Sequence, residues 1–244
     1  TQGGHVIPMG LNPSSAGRVA FTQYEPIGVV VAVSAFNHPF NLIVHQVAPA
    51  VAVGCPVIVK PAPPTPLTCQ TFLNILFQAG LPKEWATMVA PENLDLATAL
   101  VADKRVGFFS FIGSSGVGWM LRSKLAPGAR CALEHGGVAP VIVAPDANLD
   151  TALPTLAKGG FYHAGQVCVS VQRIFCDAKI AQDVAAGIAA QADSMKVSDP
   201  TLADTDVGPL INHNECDRVA TWVSDAISGG AKLITGGDKI SDSC

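Results

Sequence analysis

Apolar and polar positions along this chain follow two periods. Residues 28–33 (GVVVAV) are a β-branched run of the kind found in strands buried on both faces. Leu42, Ile43, Val44, Val47, Ala48, Ala50 and Val51 recur at helical spacing within residues 39–53, and Gly54 supplies a stop. A second buried strand at residues 57–59 makes this stretch a β-α-β crossover of a parallel sheet. The pattern then repeats. Residues 66–79 are predicted as a helix closed by Gly80, Leu81 and Pro82, and residues 86–89 as a short strand. A helix at 94–102, a strand at 106–111, a helix at 117–125 and a strand end at Ala132 and Leu133 follow. The expected fold is α/β with a doubly wound parallel sheet, whose ligands bind beyond the carboxyl ends of the strands.

The flanking parts read differently. Residues 1–24 are polar and glycine-rich and suggest a hairpin ahead of the α/β unit. After Gly136-Gly137 a second α/β series begins, with a strand at 140–143, a helix at 151–157, a strand at 171–176 and a helix at 180–195. A loop at 199–209 and a helix at 215–228 complete it, and Gly236-Gly237-Asp238 near the end carries no closing element. The expected divisions are therefore 1–24, 25–135 and 136–244. No internal repeat or low-complexity linker interrupts them.

Composition narrows the function classes. Of 244 residues 14% are charged, against roughly 25% in an ordinary globular domain. Hydrophobic residues make up 49% and aromatics only 6%, so alanine and small aliphatics form the core. Disorder is excluded by that balance. With 15 basic against 19 acidic residues and no basic cluster, nucleic acid is not an expected partner. So few charges suggest a surface partly covered by a partner subunit or by further protein. Seven cysteines (Cys55, Cys69, Cys131, Cys168, Cys176, Cys216 and Cys244) show neither a CxxC pair nor a metal-ligand spacing. They fit buried thiols in a reducing, cytoplasmic setting, with no metal site. No basic start and apolar run of a signal peptide opens the sequence. Residues 27–59 lack Asp, Glu, Lys and Arg, but Asn37, His38, Pro39, Asn41, His45, Gln46 and Pro49 break them up. A buried unit explains that stretch better than a membrane span.

Several residues carry candidate chemistry, each with a plainer alternative. The GSSGVG turn at 113–118 lies between a strand and a helix, where backbone N–H groups favour an anion, yet it is also an ordinary tight turn. Lys60 ends the strand VIVK, pointing either into a ligand crevice or to solvent. Cys168, in HAGQVCVS, is either a nucleophile or one more inert thiol, with Gly160 and Gly165 nearby permitting close approach of a substrate. Glu134 ends a strand as a general base or as a solvated carboxylate. The Asn37 amide either caps the next helix or donates to an oxyanion. On the expected helix His38, Leu42 and His45 share a face, lining a pocket or satisfied locally. A thiol hydrolase using Cys168 with His163 is a weaker alternative, because it has no use for Lys60 or the 113–118 turn.

Taken in order, FNHPFN around Asn37, VIVKPA around Lys60, FIGSSGVG around Gly113, EHGG from Glu134 and GQVCVSVQR around Cys168 resemble the NAD(P)-dependent aldehyde dehydrogenase superfamily. The matches run from residue 1 to about 219, and their wording is similar to the lactaldehyde, phosphonoacetaldehyde and succinate-semialdehyde branch. The resemblance implies a Rossmann-like NAD(P)-binding domain at 25–135, preceded by part of an oligomerisation hairpin and followed by part of a catalytic thiol domain. It implies that the Cys168 thiolate attacks the aldehyde, that Asn37 and the Cys168 N–H hold the oxyanion, and that Glu134 activates water for hydrolysis of the thioester. Ser34, Ala35, Lys60, Pro63, Gly113, Ser114 and Gly118 would contact NAD or NADP. His38, Leu42, His45, Tyr162, Val167 and Val169 would line the substrate pocket, favouring a small polar or anionic aldehyde. A homodimer or homotetramer is the implied assembly. Two departures stand out. Pro63 replaces the glutamate that in many NAD-preferring members accepts from the ribose, which makes NADP plausible, and His135 replaces the usual leucine after the catalytic glutamate. The family's remaining cofactor-domain portion and its later nicotinamide-binding segment have no counterpart in these residues. A cofactor-binding or assembly fragment without turnover is therefore the alternative expectation.

Overall fold

A computed structural model describes residues 3–240. The chain divides into two compact units, Thr1–His135 and Gly136–Cys244, each with a core of its own. Residues 1 and 2 of the expected hairpin, and Cys244, lie outside the described residues.

The first unit opens with a hairpin of β1 (Val6–Ile7) and β2 (Ala20–Phe21), paired antiparallel, with Val6, Val19 and Phe21 exposed. Its main sheet holds β3 (Val29–Val33), β4 (Val57–Lys60), β5 (Ala86–Met88), β6 (Val106–Ile112) and β7 (Arg130–Glu134). All neighbours pair in parallel, in the order β5-β4-β3-β6-β7. Helices α1 (Pro39–Ala52), α2 (Pro66–Gln78), α3 (Leu94–Val101) and α4 (Ser115–Arg122) join the strands. The chain runs outward from β3 to β5, then returns past β3 to β6, so the order reverses between β3 and β6.

The alternation of β3 explains the two-sided burial. Val30 and Ala32 join a core with Ile43, Val47, Cys69 and Phe72 of α1 and α2. Val31 and Val33 face the opposite way, into a core with Val101, Phe109 and Leu121. A strand apolar on both faces is what a doubly wound sheet requires, and the expected fold is the observed one. Pro39 suits the first turn of α1, where a missing N–H costs nothing.

In the second unit β8 (Val141–Val143) and β9 (Ile174–Cys176) pair in parallel, with α5 (Leu149–Phe161), α6 (Ala181–Asp193) and α7 (His213–Ser228) around them. Val143, Leu156 and Val184 form the centre of a small core.

Where boundaries differ from expectation, caps and turns explain the shift. The α5 and α7 helices start two residues early because Asn148 and Asn212 cap them, accepting from the Thr151 and Glu215 N–H groups at 3.4 and 3.0 Å. Apolar periodicity begins only after such a cap, so it places the start late. The α4 helix also begins early, at Ser115 rather than 117, although its N-cap Ser114 makes no side-chain capping bond. Conversely β9 is shorter than residues 171–176. The Val171 and Gln172 N–H groups donate to Gly159 and Val138 carbonyls, which belong to no strand. Among the described residues no helix is long and apolar enough to cross a membrane.

Candidate functional site

In the first unit strand register sets the candidate groups in one row. Val33 pairs with Lys60 on one side and Phe111 on the other, and Ile112 pairs with Glu134. The Ser34 N–H donates to the Lys60 carbonyl at 3.0 Å, and the Gly113 N–H to the Glu134 carbonyl at 3.0 Å. Lys60, Ser34, Gly113 and Glu134 thus stand side by side along the carboxyl edge of the sheet, and the strand order reverses in their midst. That is where open α/β sheets bind ligands.

The unpartnered polar atoms gather at the same edge. Among the described residues of this unit, the buried side-chain atoms without a hydrogen-bond partner are Ser34 Oγ, Asn37 Oδ1, Gln46 Oε1, Thr65 Oγ1 and His135 Nε2. Ser34 and Asn37 follow β3, Thr65 follows β4 and His135 follows β7. Gln46 reaches this edge from α1, its Nε2 lying 3.2 Å from the Val33 carbonyl and 3.1 and 3.0 Å from the Ser110 carbonyl and hydroxyl. Buried polar atoms are normally satisfied, so a cluster of orphans at one sheet edge fits a site that receives a polar ligand. Lys60 adds to that fit. It is half-buried, burial pulls its ammonium below the ordinary lysine value, and among the described residues it takes part in none of the ion pairs. Ser114 sits at the N-cap of α4 without a side-chain capping bond, and the first turn carries no acidic residue. Those free N–H groups suit a pyrophosphate. Pro63 is exposed in a segment without a carboxylate, and Ala35 is half-buried. The residues present therefore fit a dinucleotide.

The structure bears on three of the alternatives left open by the sequence. Asn37 does not cap α1: His38 holds the N-cap position, with no side-chain capping bond. Gly118 is buried in α4, where an added Cβ would lie 2.3 Å from His135 Nε2 and 2.8 Å from the Phe111 ring. The room left by its missing side chain is filled from within the unit. His135 packs edge-on against Phe111 and Trp119, with ring centroids 5.9 and 5.7 Å away. The α1 core stripe is Ile43, Gln46, Val47 and Ala50. His38, Leu42 and His45 lie off that stripe, the first two half-buried and His45 exposed.

In the second unit Cys168 is exposed on a turn, whereas Cys55, Cys69 and Cys216 are buried and Cys131 and Cys176 half-buried. Of the expected buried thiols, then, three are buried, two are half-buried and Cys168 alone among the described residues is exposed. Burial pushes the Cys69 thiol up to about 11, which keeps it protonated and unreactive. The turn is tightly specified. His163, Ala164 and Gly165 take left-handed backbone angles in succession, with φ of 55°, 54° and 70°, a conformation disfavoured for residues with a Cβ. Gln166 holds the turn to residues 209–211: its Oε1 accepts from the Ile211 N–H at 3.0 Å, and its Nε2 donates to the His163 and Pro209 carbonyls at 3.3 and 3.5 Å. A Cβ on Gly137 would come 3.0 Å from the Cys168 carbonyl, a tight contact that would push on the turn. Tyr162, Val167 and Val169 line one cavity together with Lys158, Gly159 and Ser170.

Gln46, Gln166, Thr65, Lys158 and Ser170 escaped the sequence reading. Only Gln46 left a signal there, as a polar residue in an otherwise apolar helical stripe.

The model of the aldehyde dehydrogenase family matches residues 2–244. The chain is 36% identical over 236 residues to a 3-sulfolactaldehyde dehydrogenase of Priestia aryabhattai, covering 97% of this chain and 49% of that protein. It is 36% identical over 235 residues to a succinate semialdehyde dehydrogenase of Acinetobacter baylyi, covering 96% and 48%. Its fold superposes with a TM-score of 0.91 and 36% identity on the glyceraldehyde-3-phosphate dehydrogenase GapN of Methanocaldococcus jannaschii complexed with NADP, covering 100% of this chain and 53% of that one. The chain thus spans about half the length of the relatives it matches. On its sequence and its fold together, it belongs to the aldehyde dehydrogenase family.

Proposed function

We propose that this protein oxidises a small polar or anionic aldehyde to its carboxylic acid with NAD or NADP, using Cys168 as the nucleophile. The exposure of Cys168 on a specified turn, while every other described cysteine is at least half-buried, carries this reading. The Cys168 thiolate adds to the aldehyde carbon, and the Asn37 amide and the Cys168 N–H donate to the oxygen that becomes negative. NAD or NADP, when bound, supplies the hydride acceptor for the oxidation. Lys60 and Ser34 bind the ribose side, with Ala35 and Pro63 beside them, while Gly113 and Ser114 offer N–H groups to the pyrophosphate. Cys168 holds the acyl group as a thioester. Glu134 takes a proton from water, which attacks that carbonyl and returns acid and thiol.

The relatives named for succinate semialdehyde and 3-sulfolactaldehyde and the absence of a carboxylate around Pro63 support an anionic aldehyde and tolerance of NADP. The exposed apolar hairpin residues Val6, Val19 and Phe21 support assembly as a homodimer or homotetramer, and the free thiols support a reducing, cytoplasmic setting.

The test is cofactor reduction by the purified protein with succinic semialdehyde, lactaldehyde and butanal. Turnover lost in Cys168→Ala, together with a protein-bound acyl mass that accumulates in Glu134→Gln, is the expected result. Undiminished turnover in Cys168→Ala, or none with any aldehyde and either cofactor, would overturn it.

A further inference from the structure

A cavity of about 380 Å³ in the second unit is lined by Lys158, Gly159, Tyr162, Val167, Val169 and Ser170. Val167 and Val169 flank Cys168 in the chain, so whatever fills this cavity crowds the thiol turn. Its walls offer a cation at Lys158 and a hydroxyl at Ser170. Ser170 is only 2% exposed, and its Oγ has no hydrogen-bond partner. A buried hydroxyl left unpaired is unfavourable, and a ligand oxygen accepting from it relieves that penalty. Lys158 is exposed and, among the described residues, takes part in none of the ion pairs. Its place in the last turn of α5 opposes the carbonyl end of the helix dipole, but that leaves the orphaned Ser170 hydroxyl unexplained.

We propose that Lys158 and Ser170 form an anion subsite beside Cys168, which selects aldehydes carrying a carboxylate, sulfonate or phosphate at the end remote from the carbonyl. This rests on the reading of Cys168 as nucleophile. A lysine ammonium is a compact charge on a flexible stem, so it accepts oxyanions of different geometry. The apolar Val167 and Val169 walls suit the short carbon chain between the two ends. A neutral aldehyde of the same length leaves both polar groups unused.

Alkylation of Cys168 by iodoacetamide, located by peptide mass, reads the subsite without cofactor or turnover. Succinate is expected to slow alkylation of the wild-type protein and its neutral counterpart succinamide to leave it unchanged. In Lys158→Met the succinate concentration for half-protection rises about tenfold or more, the loss of one charge-assisted contact. Lys158→Arg retains protection, and Ser170→Ala weakens it by a smaller factor. Equal protection by succinamide, no protection by succinate, or an unchanged half-protection concentration in folded Lys158→Met would each overturn the subsite. Turnover distinguishes this from the broader reading. Succinate protection without oxidation of any aldehyde would sink the dehydrogenase proposal and leave the anion subsite standing. Oxidation of butanal and succinic semialdehyde with equal kcat/KM would sink the subsite alone.

Discussion

In the first unit the candidate groups stand at the ends of hydrogen-bonded strands, whereas in the second the thiol stands on a turn. Lys60, Ser34, Gly113 and Glu134 owe their spacing to sheet register, which two separate cores on the sheet's faces keep from slipping. Cys168 has no strand beneath it. A left-handed turn, the Gln166 amide and the close approach of Gly137 specify its position instead. The cores differ in the same sense. The first unit buries Phe109, Ile43 and Leu121 almost completely, while the second gathers around Val143, Leu156 and Val184. An apolar groove of about 400 Å³, lined in part by Phe161, Val184 and Ile188, lies open in the second unit. Groups fixed by many strands keep their mutual spacing, whereas a thiol on a turn holds a position that a few contacts can tune.

The contrast is open to direct attack, first through the cores. Phe109→Ala should destabilise the protein by about 3–5 kcal/mol in urea denaturation, whereas Leu156→Ala should cost only about 2 kcal/mol, at the low end for its type. Equal losses would show that the two cores are equally tight. The two glutamines should separate next. Gln46→Met removes the buried amide contacts to the Val33 carbonyl and to the Ser110 carbonyl and hydroxyl and should cost about 1–3 kcal/mol of stability. Gln166→Leu, on the surface-facing turn, should change thermal stability less but clearly alter the rate of Cys168 alkylation. If the stability effects are reversed, the division between strand-held and turn-held groups fails.

Within α4 two glycines sharpen the picture of a filled sheet edge. Gly118→Ala should cost about 1–3 kcal/mol, because its Cβ meets His135 and Phe111. Gly116→Ala meets nothing within 4 Å and should gain up to about 1 kcal/mol of helix propensity.

The smallest effect is expected at Lys60. Its folded pKa is lowered by burial, so between that value and the ordinary 10.5 the unfolded chain binds more protons than the folded one. Stability therefore rises with pH through that window, and at neutral pH the buried charge carries a constant penalty. Lys60→Met should flatten the rise above neutral pH and slightly raise the neutral-pH melting temperature, while NADP affinity falls. A melting curve that keeps its pH dependence would show that Lys60 is not its source.

The elements of the first unit were legible because each β-branched run and each apolar stripe has only one way to be buried. The apolar pattern places helix starts late at Asn148 and Asn212, where it begins two residues inside a capped helix, but not at Asn93, where it begins with the first residue of α3. The site was partly legible. Lys60, Gly113 and Glu134 stand at or just beyond the ends of apolar runs, and Asn37 follows one, whereas Cys168 is marked only by the resemblance of its segment to a family. Lys158 and Ser170 carry no such mark. Their neighbourhood is made by α5 folding back onto the segment after Cys168, through the Val171 N–H to Gly159 carbonyl bond.

By itself the sequence determined the fold class and the order of the elements, and it offered candidate residues for chemistry, because periodicity and turn residues act over short stretches of chain. Only the tertiary structure decided that the unpartnered polar atoms of the first unit share one sheet edge, that Asn37 does not cap its helix, that Gly118 is filled by His135, and that Lys158 and Ser170 share a cavity beside the thiol turn. Each of these depends on which distant segments pack together, and that is fixed by burial and by hydrogen-bond satisfaction across the whole unit rather than by any local pattern.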